Sequence, residues 1–190
     1  MEKAGLQFDL DNDVEMIDPE DDARYREYWG LYHQLMSRKG VSPDAARTVV
    51  RTRNTVIGAL AVHRGDADAL VCGYVGRYGR HLQYCTDILG LKKGVNAPCS
   101  IQLLVSPKKT VFLADTEVTL DPTAEQIAEI AVLSSEIVRN FGITPKVALV
   151  AHSNFGTHND AVVVKTQKAL SLLRMRAPDL EVDGEMNADS

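Results

Sequence analysis

Residues 122–150 read PTAEQIAEIAVLSSEIVRNFGITPKVALV and predict a helix followed by a buried strand. Apolar and small side chains recur every three or four residues, so one face of a helix over 122–139 is apolar. That stripe consists of Ile127, Ile130, Ala131, Ser134, Ile137 and Val138. Asp121 or Thr123 is the expected cap, and Gly142 is the expected end. The strand is 146–150, and residues 160–176 form the next predicted helix.

The rest of the chain alternates in the same way. Helices are predicted over 24–39, from the Ser42-Pro43 cap onward, over 54–64 and over 81–89, and strands over 69–72, 101–106, 111–114 and 178–184. A buried strand at 69–72 is followed by a glycine-rich loop over 73–79. Strands alternating with helices over short connections predict an α/β protein, here a three-layer α/β/α sandwich with a mixed, mostly parallel sheet.

Composition and charge exclude several classes of protein. No apolar run is long enough to cross a bilayer, and the N-terminus lacks the pattern of a secretory signal, so we expect a cytoplasmic protein. Three cysteines, Cys72, Cys85 and Cys99, match neither a disulfide framework nor a zinc spacing. Residues 1–22 have a formal net charge of −8, residues 179–190 have one of −5, and the residues between them have one of +8. The basic middle favours an anionic ligand, but its positive charges show no nucleic-acid pattern.

Three loops carry side chains that suit a ligand. Arg77 and Arg80 lie on or behind the loop over 73–79, where glycines allow a close backbone approach and guanidinium groups bind phosphate, although a tight turn with exposed arginines is equally consistent. Asp115 and Thr116 follow a strand and either orient a ligand or cap a turn. Ser153 lies in the loop over 152–156, before a helix whose free N–H groups favour anions. No serine-nucleophile elbow and no metal-ligand spacing is present, so we expect no catalytic and no metal-binding residue.

Several motifs resemble the phosphate acetyltransferase (phosphotransacetylase) family, whose fold is isopropylmalate-dehydrogenase-like. They are VCG (71–73), FLADT (112–116), PTAEQIAEI (122–130), KVALVAHS (146–153) and PDLEVDGE (178–185). A second set is more specific and resembles the phosphotransacetylase-like C-terminal domain of hybrid, NADP-dependent bacterial malic enzymes. It comprises IDPEDDARY (17–25), RKGV (38–41), VRTRNTV (50–56) and VGRYGRH (75–81). The charge pattern predicts an acidic lead-in or cut connection over 1–22, and the resemblance implies a partial phosphotransacetylase-like domain over 23–190.

The sequence departs from the family where active members carry catalytic charges. The resemblance places a family arginine at the position of Met36, and another within a Leu-Arg-Pro motif where this chain has Leu82-Gln83-Tyr84. The family's catalytic serine, arginine and aspartate are expected beyond Ser190. An enzyme that binds acetyl phosphate and deprotonates coenzyme A needs those groups, so acyl transfer by this chain is not expected.

The resemblance therefore implies a non-catalytic domain that regulates a malic enzyme, senses acetyl-coenzyme A and supports homo-oligomers. Conversion of malate to pyruvate and carbon dioxide, with NADP and Mg²⁺ or Mn²⁺, belongs to a separate catalytic domain of the parent chain, so this part needs no cofactor. We expect Arg77, Arg80, Ser153 and Asn154 to bind the effector's phosphates in one cleft, with Tyr78 and Thr116 as secondary candidates. Self-association is expected through the helix around 25–32 or a free strand edge. A fragment of an active phosphate acetyltransferase and a purely structural oligomerisation module are the alternatives.

Overall fold

A computed structural model describes residues 12–19 and 21–189. The chain divides into two compact units, Met1–Lys92 and Lys93–Ser190. Most of the predicted acidic lead-in, residues 1–11 and 20, lies outside the described residues, and its boundary at residue 22 stays a prediction. Within the described residues, every helix is too short or too polar to span a bilayer.

The Met1–Lys92 unit is helical in its described part. Its helices are α1 (Tyr25–Met36, continued by a 3-10 turn over Ser37–Lys39), α2 (Pro43–Thr52), α3 (Asn54–Arg64) and α4 (Tyr78–Leu89). These helices pack around one apolar cluster that includes Tyr28, Tyr32, Met36, Val50 and Leu60. The predicted helices over 24–39, from Ser42 onward and over 54–64 are therefore confirmed.

Local caps explain where these helices begin and end. The Ser42 hydroxyl accepts a hydrogen bond from the Ala45 N–H, and Pro43 occupies the first position of α2. Gly40 follows the first helical segment with a φ of 84°, a left-handed conformation that glycine adopts without steric cost.

The predicted buried strand at 69–72 is wrong. Val71 is 99% exposed, Cys72 is also exposed, and the segment adopts neither helix nor strand. A short apolar run becomes a strand only where a neighbouring strand satisfies its backbone N–H and C=O groups, and the described part of this unit contains no strand. The helix predicted from residue 81 also begins earlier, at Tyr78, so Arg80 belongs to α4 rather than to a loop.

The Lys93–Ser190 unit contains four strands and two helices in its described part. Strands β1 (Ile101–Val105) and β2 (Thr110–Ala114) form an antiparallel hairpin, and β3 (Lys146–Val150) pairs in parallel with β4 (Glu181–Met186). Helix α5 (Ala124–Asn140) precedes β3, and α6 (Ala161–Arg176) connects β3 to β4. The core between these helices and the parallel pair includes Ala128, Leu149, Ala169, Leu173 and Leu180.

The N-terminus of α5 identifies which of the two predicted caps is used. The Thr123 hydroxyl accepts a hydrogen bond from the Gln126 N–H, and the Gln126 side chain accepts one from the Thr123 N–H, which completes a capping box. Asp121 instead pairs with Lys165. The α/β fold class is confirmed, with the described strands arranged as one antiparallel and one parallel pair.

Candidate ligand-binding loops

The glycine-rich loop over 73–79 is held in place by a histidine of α4. The Nε2 atom of His81 is 2.9 Å from the Val75 carbonyl oxygen, and its Nδ1 atom is 2.6 Å from the Thr55 hydroxyl. Gly76 has a φ of 117°, and a Cβ atom there would lie only 2.8 Å from His81 Nε2. Glycine at this position therefore allows the ring to reach the loop backbone.

Arg77 and Arg80 lie together at the N-terminus of α4. Arg77 is the N-cap residue, Arg80 lies in the first turn, and both side chains are exposed. No side chain caps this terminus, and its first turn has no acidic residue. Neither guanidinium forms an ion pair or a hydrogen bond within the part of the chain that the structure describes. This terminus therefore combines the positive end of a helix dipole with two positively charged side chains, an arrangement that favours an anion.

The two secondary candidates lie in different surroundings. Tyr78 is the first residue of α4, beside Arg77, and is 49% exposed. Thr116 is exposed in the turn after β2. The neighbouring Asp115 has a φ of 50°, its N–H donates to the Ser100 carbonyl at 2.7 Å, and its Oδ1 atom lies 3.5 Å from the Ser100 N–H. Asp115 thus stabilises the base of the β1–β2 hairpin.

The loop between β3 and α6 is organised around a buried carboxylate, Glu185. Its Oε1 atom accepts hydrogen bonds from the Ser153 hydroxyl at 2.9 Å and from the Gly156 N–H at 2.6 Å. Glu185 is 1% exposed and Ser153 is completely buried. Hydrogen bonds hold the pKa of Glu185 below its ordinary value, above all the bond from the Gly156 N–H and also the one from the Ser153 hydroxyl. Burial raises the pKa, but by less than the hydrogen bonds lower it. Sequence reasoning missed Glu185, which lies among the acidic residues of the C-terminal segment.

Ser153 and Asn154 therefore form hydrogen bonds with residues of their own unit. The Ser153 hydroxyl accepts from the His158 N–H at 3.2 Å in addition to donating to Glu185. The Asn154 side-chain oxygen accepts from the Asn187 N–H at 2.7 Å and so connects the loop to the end of β4. Their predicted contact with an effector stays a prediction. The structure shows directly that both residues shape the loop.

The N-terminus of α6 already holds a negative charge. The Asp160 Oδ1 atom accepts hydrogen bonds from the N–H groups of Val162 and Val163, and its Oδ2 atom is 2.7 Å from Nε2 of His152. Burial alone would raise the pKa of Asp160, but the hydrogen bonds from Val163, His152 and Val162 outweigh it and lower the pKa. A second anion at this helix terminus would meet a carboxylate.

The two positions at which the resemblance led us to expect arginine in active phosphotransacetylases lie in apolar or neutral surroundings here. Met36 is 6% exposed and belongs to the apolar cluster with Tyr28 and Tyr32. Gln83 is an exposed residue of α4, and Tyr84 packs against the same cluster. These side chains supply no positive charge for an acyl phosphate. In the described part of the chain, no group of three or more His, Cys, Asp or Glu side chains is arranged to hold a metal ion.

The fold and these loops define an α/β protein with an uncapped, positively charged helix terminus and apolar or neutral side chains at two expected catalytic positions. The family model for phosphate acetyl/butaryl transferase matches residues 1–190. The chain belongs to this family, which confirms the resemblance inferred from the motifs.

The curated relatives with similar sequences include malic enzymes and phosphate acetyltransferases. The chain is 50% identical over 190 residues to an NAD-dependent malic enzyme of Rhizobium meliloti, covering 100% of this chain and 25% of the relative. It is 44% identical over 190 residues to an NADP-dependent malic enzyme of Salmonella typhimurium, with the same coverage. A phosphate acetyltransferase of Nitratidesulfovibrio vulgaris is 31% identical over 185 residues, which are 97% of this chain and 26% of the relative.

Solved structures support the same fold. The EutD phosphotransacetylase from Staphylococcus aureus aligns with a TM-score of 0.80 at 26% identity, covering 98% of this chain and 56% of that protein. A phosphotransacetylase from Streptococcus pyogenes aligns with a TM-score of 0.81 at 28% identity and the same coverage. The chain thus spans about a quarter of the curated relatives and just over half of the solved neighbours. It corresponds to the phosphotransacetylase-like part of these malic enzymes.

Proposed function

We propose that this chain is a non-catalytic, ligand-binding domain of a malic enzyme, and that it binds acetyl-coenzyme A and regulates the malic enzyme reaction. One observation carries the proposal. The whole chain matches only a quarter of two malic enzymes, at 50% and 44% identity, while the expected arginine position is occupied by the buried Met36. The catalytic domain in the same polypeptide is the proposed covalent partner. It would convert malate to pyruvate with NAD or NADP and a divalent metal ion.

The chemistry of acyl transfer supports a non-catalytic role. A site that transfers an acetyl group from acetyl phosphate must neutralise the phosphate and stabilise negative charge that develops in the transition state. Met36 and Tyr84 contribute to an apolar core instead, and Gln83 is neutral. A charged group at the position of Met36 would lose its hydration without gaining a partner, so this position suits packing and not catalysis.

The N-terminus of α4 supports binding of a phosphorylated effector. Acetyl-coenzyme A carries several phosphate charges, which favour guanidinium groups and free N–H groups. Arg77 and Arg80 place two guanidinium groups at one helix N-terminus, and no carboxylate of the described residues neutralises them. These two arginines are the proposed direct contacts, with Tyr78 beside them.

Calorimetric titration of the full-length parent enzyme with acetyl-coenzyme A tests this assignment. Each lost charge-assisted contact should weaken binding roughly tenfold or more, so Arg77→Ala and Arg80→Ala should each raise Kd by that factor. Arg38→Ala is the matched control, because Arg38 is equally exposed but lies in the 3-10 turn after α1. Unchanged affinity in the double variant would remove both arginines from the site.

A coupled assay separates the proposed regulator from an acetyltransferase. The parent enzyme, supplied with acetyl phosphate and coenzyme A, should form no acetyl-coenzyme A above the uncatalysed rate. Robust turnover would contradict the non-catalytic assignment.

A structural oligomerisation role is the second candidate, because the β1–β2 hairpin exposes apolar side chains. Leu103, Leu104 and Val105 are 45%, 57% and 70% exposed. A contiguous exposed apolar surface often marks a protein interface. Sedimentation velocity over a range of concentrations would reveal the self-association that this role requires, and a monomer at every concentration would exclude it.

A further inference from the structure

Two cysteine side chains of the Met1–Lys92 unit lie next to each other. Cys85 is a half-buried residue of α4, whereas Cys72 is exposed in the segment that leads into the glycine-rich loop. The Cys72 thiol is a hydrogen-bonding partner of the Cys85 thiol. The third cysteine, Cys99, belongs to the other unit.

The backbone around the loop keeps these two thiols together. His81 and Cys85 are four residues apart on α4 and therefore lie on one face of the helix. His81 holds the Val75 carbonyl at 2.9 Å, and Val75 follows Cys72 by only three residues, a span of at most about 10 Å. Gly73, with a φ of 100°, allows the chain to turn between Cys72 and Val75.

The two thiols differ in accessibility, since Cys72 is exposed and Cys85 is half-buried. Burial raises the pKa of the Cys85 thiol, and the adjacent Cys72 raises it further through charge repulsion and the hydrogen bond. Because the thiolate is the nucleophile, Cys85 alone reacts slowly with an oxidant in solution. The exposed Cys72 is the thiol that such an oxidant reaches first, and Cys85 is positioned to react with it afterwards.

We propose that Cys72 and Cys85 form a reversible intrachain disulfide by exchange with a small-molecule disulfide such as oxidised glutathione. The Cys72 thiolate attacks one sulfur of glutathione disulfide, forming a mixed disulfide and releasing one glutathione. The Cys85 thiolate then attacks the Cys72 sulfur and releases the second glutathione. Two protein thiols and one glutathione disulfide thus become one protein disulfide and two glutathione thiols, which carry both protons.

This disulfide would close a ring that contains Arg77 and Arg80. Closing the ring restricts the loop over 73–79, whereas reduction leaves it without this covalent constraint. An effect of oxidation on acetyl-coenzyme A binding rests on the proposed function. Formation of the disulfide does not.

Counting free thiols in the complete chain tests the proposal without any effector. The protein is equilibrated in glutathione buffers of increasing oxidised fraction, alkylated, and analysed by intact mass and peptide mapping. Under reducing conditions, all three cysteines should be alkylated. Under oxidising conditions, only Cys99 should be alkylated, and the peptides that contain Cys72 and Cys85 should be joined by a disulfide. Cys99→Ser is the matched control and should form the same joined peptide. Limited trypsin cleavage after Arg77 should become several-fold slower on oxidation and recover on reduction.

Three outcomes would overturn the proposal: three alkylated cysteines throughout, a persistent glutathione adduct on Cys72, or a dimer linked through Cys72. The variants Cys85→Ser and Cys85→Ala should both lose the joined peptide and accumulate the glutathione adduct on Cys72. Two replacements are used because Cys85 is half-buried, and circular dichroism identifies a variant that fails to fold. Failure to find the disulfide would not contradict the proposed effector site, because the thiol assay contains no acetyl-coenzyme A.

Discussion

Replacing Ser153 with alanine should destabilise the Lys93–Ser190 unit, because its buried hydroxyl forms hydrogen bonds with Glu185, His158 and Thr157. The hydroxyl donates to Glu185 at 2.9 Å and accepts from the His158 N–H at 3.2 Å, and Ser153 is completely buried. A hydrogen bond to a charged group contributes about 1.5–3 kcal/mol, and the bond to an N–H near the surface contributes less. We therefore expect Ser153→Ala to lower the free energy of unfolding of this unit by about 2 kcal/mol.

Hydrogen exchange and urea unfolding measure this change. Exchange at the amides of Phe155 and Gly156 reports on the loop itself, because their N–H groups donate to the Glu185 carbonyl and carboxylate. Ser171→Ala is the matched control, since the Ser171 hydroxyl is exposed on α6 and bonds only within its helix, to the Gln167 carbonyl. Equal effects of the two substitutions would refute the reasoning that the buried hydroxyl stabilises the loop.

Two further predictions concern stability. Hydrogen bonds from the Gly156 N–H and the Ser153 hydroxyl lower the pKa of Glu185 in the folded protein. Ionised Glu185 should therefore stabilise the fold above about pH 4.5, and this stabilisation should be lost as the pH falls through the pKa of the folded state. Unfolding measured against pH should show a shallower slope in Glu185→Gln than in the wild type, and equal slopes would contradict the assignment. Thr123→Ala should cost about 1 kcal/mol in urea unfolding, because it removes the capping box of α5. Thr123→Ser keeps the hydroxyl and should cost much less.

Helix ends could be predicted from the sequence because their causes are local. Ser42-Pro43 and Thr123 with Gln126 satisfy N–H groups within one turn of their own helix, and Gly40 supplies a conformation that its neighbours cannot adopt cheaply. The spacing of apolar residues also depends only on the helix repeat. Consequently the bounds of α3, α5 and α6 and the start of α2 lie within two residues of the predicted ones.

Features that depend on distant partners could not be predicted in this way. The apolar run at 69–72 has the composition of a strand, but composition does not supply a neighbouring strand. The role of Glu185 depends on pairing between β3 and β4, which brings it to a loop about thirty residues earlier in the chain. One carboxylate among several in an acidic segment carries no sequence signal that distinguishes it from its exposed neighbours.

The two candidate anion sites of the sequence analysis, the glycine-rich loop before α4 and the loop before α6, differ in charge. At α6, the Asp160 carboxylate already accepts the first N–H groups and pairs with His152, so an incoming phosphate meets a negative charge. At α4, the first turn has no acidic residue, and Arg77 and Arg80 add positive charge to the helix dipole. We therefore expect a phosphate group to bind at the N-terminus of α4 rather than at that of α6. Effector contacts proposed for the loop between β3 and α6 must therefore come from side chains such as Asn154 and not from the helix terminus.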